Sequence, residues 1–452
     1  MRKKIVEESV LFISIFKWLF LASCIGIIVG LSTTVFLKFL GLGIAGAARY
    51  PYYYLLLPVA LFASALIVRV FAPDAEGHGT ERIIEAVHRH SGRMKLAVVP
   101  VKLAATVITI AFGGSAGKEG PAAQIGAALS SGFSRLFRFG DRDRKKLVIC
   151  GISAGFATVF GTPIAGALFG VEVLFVGSML YDVLLPSFVA GIVGYQVSAA
   201  LGVTYFQGIH CAIPAFSSYF FLKVCAAGLF FGLSALVFIE ILGLFHRLSR
   251  RLTIRTPYKG LIGGIILLAL SFLFSTRYLG LGIDTIEGAL AGGPVPAASF
   301  VLKMVFTAVT LTFGGSGGII TPIFFVGSTA GHAFGSLMGF DTALFASIGM
   351  VALLAGAANT PISASIMAME LFGPEIAPYA SVACIISYLM TGHRSVYPSQ
   401  ILALAKSSSL AVPTGSEMRD AGNIHLHLRR KTVSTGVLVW IEKLKKMLKR
   451  SR

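Results

Sequence analysis

FGGSAGKEGPAAQIG, residues 112–126, sets a lysine and a glutamate inside one of the most apolar regions of a very apolar chain. Gly113, Gly114, Gly117, Gly120 and Gly126, with Pro121 among them, predict a backbone break followed at once by a helix start. Glycine permits the tight backbone, and proline is tolerated in a helix's first turn. Such a break ends in unpaired N–H groups at the positive end of a helix dipole, which inside a membrane is a ready site for an anion. Glu119 stands on its lip. Ionised, the carboxylate takes the anion's place; protonated, it leaves. A plainer alternative keeps Lys118 and Glu119 in a surface loop between two membrane helices, where most charges of such proteins lie.

The same pattern occurs again. FGGSGGIITPIFFVG at 313–327 matches the first stretch at an offset of 201 residues, and Lys102 and Lys303 each stand ten residues ahead of the leading phenylalanine. Downstream, Pro163 precedes Glu172 by nine residues, and Pro361 precedes Glu370 by nine. Upstream, GTERIIEA at 79–86 is echoed by GIDTIEGA at 282–289. Four matches in the same order point to an ancestral duplication. Two duplicated units that meet around a central site bring both breaks to the bilayer midplane, oppositely oriented if each unit crosses an odd number of times. Two helix N-termini then converge without a buried basic ligand.

Composition supplies the setting. With 452 residues, 55% hydrophobic and only 13% charged, the chain has too little polar surface for a soluble globule, so it reads as an all-α, multi-pass membrane protein. Its net charge of +19 falls in short clusters (Arg2–Lys4, Arg135–Lys146, Arg247–Lys259 and Arg429–Arg452) between apolar runs. Clusters beside spans mark cytoplasmic loops, which places both termini on the cytoplasmic side of a cell membrane and leaves no domain for nucleic acid. The run from about 10 to 45 is too long for a signal peptide and reads as a retained span. Further runs cover about 51–72, 96–113, 122–139, 147–179, 181–204, 218–245, 258–276, 297–313, 322–339, 342–358 and 360–391. Several are too short to cross about 30 Å of hydrocarbon upright, as expected of broken helices lining a pathway. From Ser407 the chain turns polar, and VLVWIEKLKKMLKRSR at its end reads as a basic amphipathic helix for the membrane surface or for a partner.

Five cysteines (Cys24, Cys150, Cys211, Cys225, Cys384) show no regular spacing and read as buried small hydrophobes. The nine histidines make no metal-ligand pair on a helix face, so neither metal nor cofactor is expected. An enzyme would need a nucleophile and base, and no such set is visible. A cation transporter would put carboxylates or carbonyls at the breaks, where this chain offers N–H groups.

GHGTE at 77–81, GKEGP at 117–121, GGIITP at 317–322 and Tyr397 within SVYPSQ together resemble the CLC family of chloride channels and proton-coupled anion antiporters, over residues 15–405. The resemblance implies a homodimer with one pore per subunit. Each subunit would carry inverted repeats at about 15–205 and 218–405, within a transport domain of residues 1–406 followed by a tail of 407–452. By the same likeness Glu119 matches the gating glutamate, and Tyr397 the tyrosine whose hydroxyl helps hold the central anion. Ile320 and Thr321 match the helix start that faces the ion, and His78 stands where many members have a serine. Gly117, Lys118 and Gly120 frame the same anion-binding break, with Lys118 as an electrostatic attractant at its entrance. Glu172 and Glu370 are expected on helix-end or loop amides.

Departures narrow the class. Thr321 brings a hydroxyl where many members have alanine, and Val173 occupies the place of the internal proton-transfer glutamate of chloride/proton antiporters. That pattern is similar to the branch that exports fluoride in exchange for protons, the favoured reading. A chloride/proton antiporter and an uncoupled chloride channel are the alternatives. The partners implied are a halide, a proton, membrane lipid and a second subunit.

Overall fold

The computed structural model describes residues 2–205, 213–214, 217–420 and 425–426, so Cys211 and the expected helix at 437–452 lie outside the described residues. Among the described residues, sixteen α-helices fall into two series of eight. The first comprises α1 (Arg2–Ala48), α2 (Leu57–Phe71), α3 (Thr80–Arg89), α4 (Val98–Ala111), α5 (Glu119–Leu136), α6 (Asp141–Phe160), α7 (Pro163–Glu172) and α8 (Leu184–Ala200). The second comprises α9 (Ser218–Arg251), α10 (Thr256–Leu273), α11 (Ile283–Leu290), α12 (Ser299–Thr312), α13 (Ile320–Met338), α14 (Thr342–Ala358), α15 (Pro361–Phe372) and α16 (Ala377–Met390). The echo of 79–86 in 282–289 is therefore α3 answering α11.

Two of the expected apolar runs each hold two helices. Residues 147–179 split where Gly161 takes a left-handed φ of 73° at the end of α6 and Pro163 opens α7. Residues 360–391 split at Gly373, φ 97°, between α15 and α16. The first joint carries no charge and is marked only by its turn chemistry; the second, Gly373-Pro374-Glu375, also exposes an acid.

Among the described residues, five segments are long and apolar enough to cross a membrane: Lys4–Ala48, Tyr53–Phe71, Tyr181–Ala200, Ser218–Arg251 and Thr256–Leu273. They surround a centre in which α5 packs on α6 and α13 on α14. Every residue of α14 from Leu344 to Ala358 is buried. At 1.5 Å per residue α1 is about 70 Å long, more than twice the hydrocarbon thickness. Its first turns expose Ile5, Val6, Leu11 and Phe12. Cys24 on α1 and Cys225 on α9 are only half-buried, unlike Cys150 and Cys384, because these outer helices turn one face away from the bundle. The sequence expectation of burial fails for that pair.

Equivalent lysine bonds brace a loop within each series, and reciprocal carboxylate bonds lock the two series together. Lys102 donates to the carbonyls of Ala75 (3.0 Å) and Gly77 (2.5 Å), and Lys303 to those of Tyr278 (3.0 Å) and Gly280 (2.8 Å). Glu172 at the end of α7 accepts from the Ile362 and Ser363 amides at the start of α15, at 3.0 and 2.8 Å. Glu370 on α15 accepts from the Ile164 and Ala165 amides at the start of α7, at 2.9 and 2.8 Å. Each carboxylate thus covers the positive end of the other repeat's helix. The expectation that both acids bind helix-end amides holds.

Candidate functional site

The two breaks meet. Gly117 N–H donates to Gly318 O at 2.7 Å and Gly318 N–H to Gly117 O at 2.6 Å, an antiparallel bridge between the loops ahead of α5 and α13. Beside it, the Ser115 amide donates to Thr310 Oγ1 and the Ser316 amide to Thr109 Oγ1, both at 3.0 Å. Hydroxyls thereby satisfy loop donors that a membrane interior would otherwise leave unpaired. Glycine is required where backbones touch. A Cβ on Gly79, whose φ is 76°, would fall on the Gly120 carbonyl, and one on Gly120 would fall on the carbonyl of His78.

Glu119 opens α5 and is 1% exposed, which excludes the surface-loop alternative. Its Oε2 accepts the Thr321 amide at 3.1 Å, and its Oε1 accepts the Thr321 hydroxyl in a very short contact. The acid of the first repeat therefore sits on the second residue of α13, at the N-terminus of the other repeat's helix. Thr321 does not cap its own helix, since the residue ahead of α13 is Ile319. Ile320 is buried at the first position of α13; Lys118, just ahead of α5, is only half-buried.

Tyr397 is fully buried, so it is not an interface aromatic. Its ring lies 5.7 Å from that of His78. Among the described residues, the Tyr397 hydroxyl and His78 Nδ1 are both buried without a hydrogen-bond partner. Two buried polar atoms on neighbouring rings are thus available to a polar ligand. Structure thus joins Gly117, Glu119, Gly120 and Thr321 directly, and sets His78 beside Tyr397, with the His78 carbonyl against Gly120.

Sequence reasoning missed the supports of Tyr397. Gln400 is buried; its amide donates to Val173 O and Ala358 O, both at 2.8 Å, and its oxygen accepts from Asn359 at 3.1 Å and Ser395 at 2.5 Å. Ser395 Oγ in turn accepts the Tyr397 amide at 2.9 Å. Val173, where an acid was weighed, is fully buried and apolar. The signal was a buried glutamine within SVYPSQ, three residues after Tyr397.

The voltage gated chloride channel family model matches residues 59–392. A chloride/fluoride channel protein of Pseudomonas syringae pv. tomato is 37% identical over 425 residues, 92% of this chain and 93% of the relative. The chain belongs to the voltage gated chloride channel family. Among solved structures, a CLC-type fluoride/proton antiporter is similar at a TM-score of 0.81 and 28% identity, over 85% of this chain and 98% of that one. A slow cyanobacterial Cl-/H+ antiporter shares the fold at a TM-score of 0.71 and 19% identity, over 83% of this chain and 94% of that one. The family is one of membrane anion transport, and the inverted-repeat helical bundle read from the duplication is its fold.

Proposed function

We propose that this protein exchanges fluoride for protons, with Glu119 as the single side chain that serves both ions. The observation that carries the reading is the seat of Glu119 on the amide and hydroxyl of Thr321. A carboxylate accepting from a helix N-terminus occupies the place of a small anion. Protonation removes its charge and frees those donors. Fluoride, small and strongly hydrated, needs close hydrogen-bond donors to replace its water, and Thr321, Tyr397 and the first amides of α5 and α13 are such a set. His78 and Tyr397 hold the central ion, Gly120 and Ile320 present backbone to it, Gly117 frames the site through its bridge to Gly318, and Lys118 draws anions to the entrance.

Support also comes from the relatives, one described as a chloride/fluoride channel protein and one as a fluoride/proton antiporter. Chloride is the second reading, because the first of those descriptions carries both halides. The transport domain spans residues 1–406, with repeats at about 15–205 and 218–405 and a basic tail at 407–452. It works as a homodimer in the lipid of the cell membrane, with both termini in the cytoplasm.

Efflux from proteoliposomes, comparing fluoride with chloride while recording proton uptake, tests this. Fluoride efflux at least tenfold faster than chloride, with protons entering, is expected. Equal rates for both halides would overturn the choice of ion, and efflux without proton uptake the exchange.

A further inference from the structure

The chain that follows α16 returns to the site. Arg419 N–H donates to Pro398 O at 3.0 Å and Met418 N–H to Gln400 O at 2.8 Å, so residues 418 and 419 pair with the backbone on either side of Ser399. Ser399 lies two residues beyond Tyr397. Its amide and hydroxyl donate to Glu81 at 3.1 and 2.6 Å, and Glu81 lies in the first turn of α3, three residues beyond His78. The Arg419 guanidinium also donates to Ser399 Oγ, and it lies 3.7 Å from Glu81 and 2.6 Å from Glu417. Arg89, at the far end of α3, donates to Glu417 at 2.6 Å.

Three ion pairs, Glu81 with Arg419, Arg419 with Glu417 and Glu417 with Arg89, thus run in series, and α3, which carries both Glu81 and Arg89, closes them into a ring with Ser399 at the link between Glu81 and Arg419. Arg89 also faces Glu85 at 3.9 Å. The two carboxylates of the ring are 18% and 10% exposed, while Arg89 and Arg419 keep 46% and 40% of their side-chain surface in solvent, so the ring acts through its fixed geometry and the Ser399 hydrogen bonds rather than through buried charge.

We propose that Glu417 and Arg419 are positioning residues for transport: they clasp the Tyr397 loop to α3 and so fix Tyr397 relative to His78. The two orphaned polar atoms of the site sit on the two chain segments that this ring joins, 78–81 and 397–399. A small ion is favoured over a larger one only while its donors are held to within a fraction of an ångström. Loosening the clasp lets the donors retreat to suit chloride. The inference rests on the anion-transport reading of this site.

Arg419→Met and Glu417→Gln, reconstituted, are read as the ratio of fluoride to chloride efflux, which a change in the amount of active protein does not move. Each is expected to lower that ratio about fivefold, with Arg419→Lys retaining most of it and Arg89→Met adding little to Glu417→Gln because they break one contact. Lys146→Met, which breaks an ion pair with Asp182 (2.9 Å) away from Tyr397, leaves the ratio unchanged. Should Arg419→Met not fold, Ser399→Ala tests the same ring. An unchanged ratio in the Arg419, Glu417 and Ser399 variants overturns the clasp and leaves the transport reading intact. If the wild-type protein itself carries chloride as well as fluoride, the ion assignment fails; the clasp is then judged by whether these variants change protons moved per chloride, and an unchanged number overturns it.

Discussion

In the first repeat the helix after the break begins Glu119-Gly120-Pro121; in the second it begins Ile320-Thr321-Pro322. Around these positions the halves are matched bond for bond: Lys102 with Lys303, Thr109 with Thr310, Glu172 with Glu370. Within them the halves differ, an acid in one meeting a hydroxyl and an amide in the other. Duplication supplied the frame, and divergence at two consecutive positions supplied the chemistry. Substitutions that treat the halves alike report on the frame; those that treat them differently report on transport.

The largest effects belong where the two frames touch. A Cβ on Gly318 would lie 2.7 Å from the Gly120 amide nitrogen, and one on Gly120 would meet the carbonyl of His78. Gly318→Ala and Gly120→Ala should each destabilise by about 3 kcal/mol and abolish flux, because backbone cannot yield as a side chain does. Gly46→Ala, with nothing within 4 Å, should do neither. Thermal unfolding in detergent and efflux assays read both.

Next come the buried lysines. Lys102→Met and Lys303→Met each orphan two carbonyls, and each should cost about 2–3 kcal/mol. Their functional effects should differ. Lys102 holds Gly77, beside His78, so its loss should slow flux about tenfold; Lys303 holds the corresponding loop with no site residue, so flux per folded protein should be kept. Equal slowing by both would remove the distinction between frame and site.

The acids at the helix ends follow. Glu172→Gln and Glu370→Gln should each lose about 2 kcal/mol, since each weakens two charge-assisted bonds at a helix N-terminus, and proton coupling should be unchanged. Loss of coupling in Glu172→Gln alone would make it a proton carrier and break the symmetry of role.

The smallest effect concerns a residue with no counterpart in the first repeat. Lys406 donates to Asn359 Oδ1 and the Tyr388 carbonyl, both at 2.6 Å, and burial pushes its pKa down to about 7. Against an ordinary 10.5, the unfolded chain holds the extra proton between these values. Stability should therefore rise with pH from about 7 to 10. Lys406→Met should flatten that part of the melting-temperature profile by a few degrees; an unaltered slope would place the titration elsewhere.

Much of this was legible beforehand, for identifiable reasons. The breaks carry their own turn chemistry, and the 201-residue offset placed their partners without coordinates. Glu119 was conspicuous because an acid in an apolar run demands a reason. What escaped was what depends on contact between distant segments. Gln400 and Ser395, which hold the Tyr397 loop, were not singled out, because their bonds reach Val173, Ala358 and Asn359, far away in the chain. The ring of Glu81, Arg89, Glu417 and Arg419 joins α3 to a stretch that reads only as polar chain. The joint at Gly161 was hidden because no charge interrupts the apolar run there, whereas Gly373-Pro374-Glu375 carried a legible break inside the run at 360–391.

Glu119→Gln keeps the shape of the carboxylate and removes its ability to change charge. Reconstituted in liposomes under an anion gradient, this variant should pass the anion while moving no protons, at a rate independent of pH between about 5 and 8. Proton movement at the wild-type ratio would show that another group carries the proton, and that the seat of Glu119 on Thr321 is a structural contact alone.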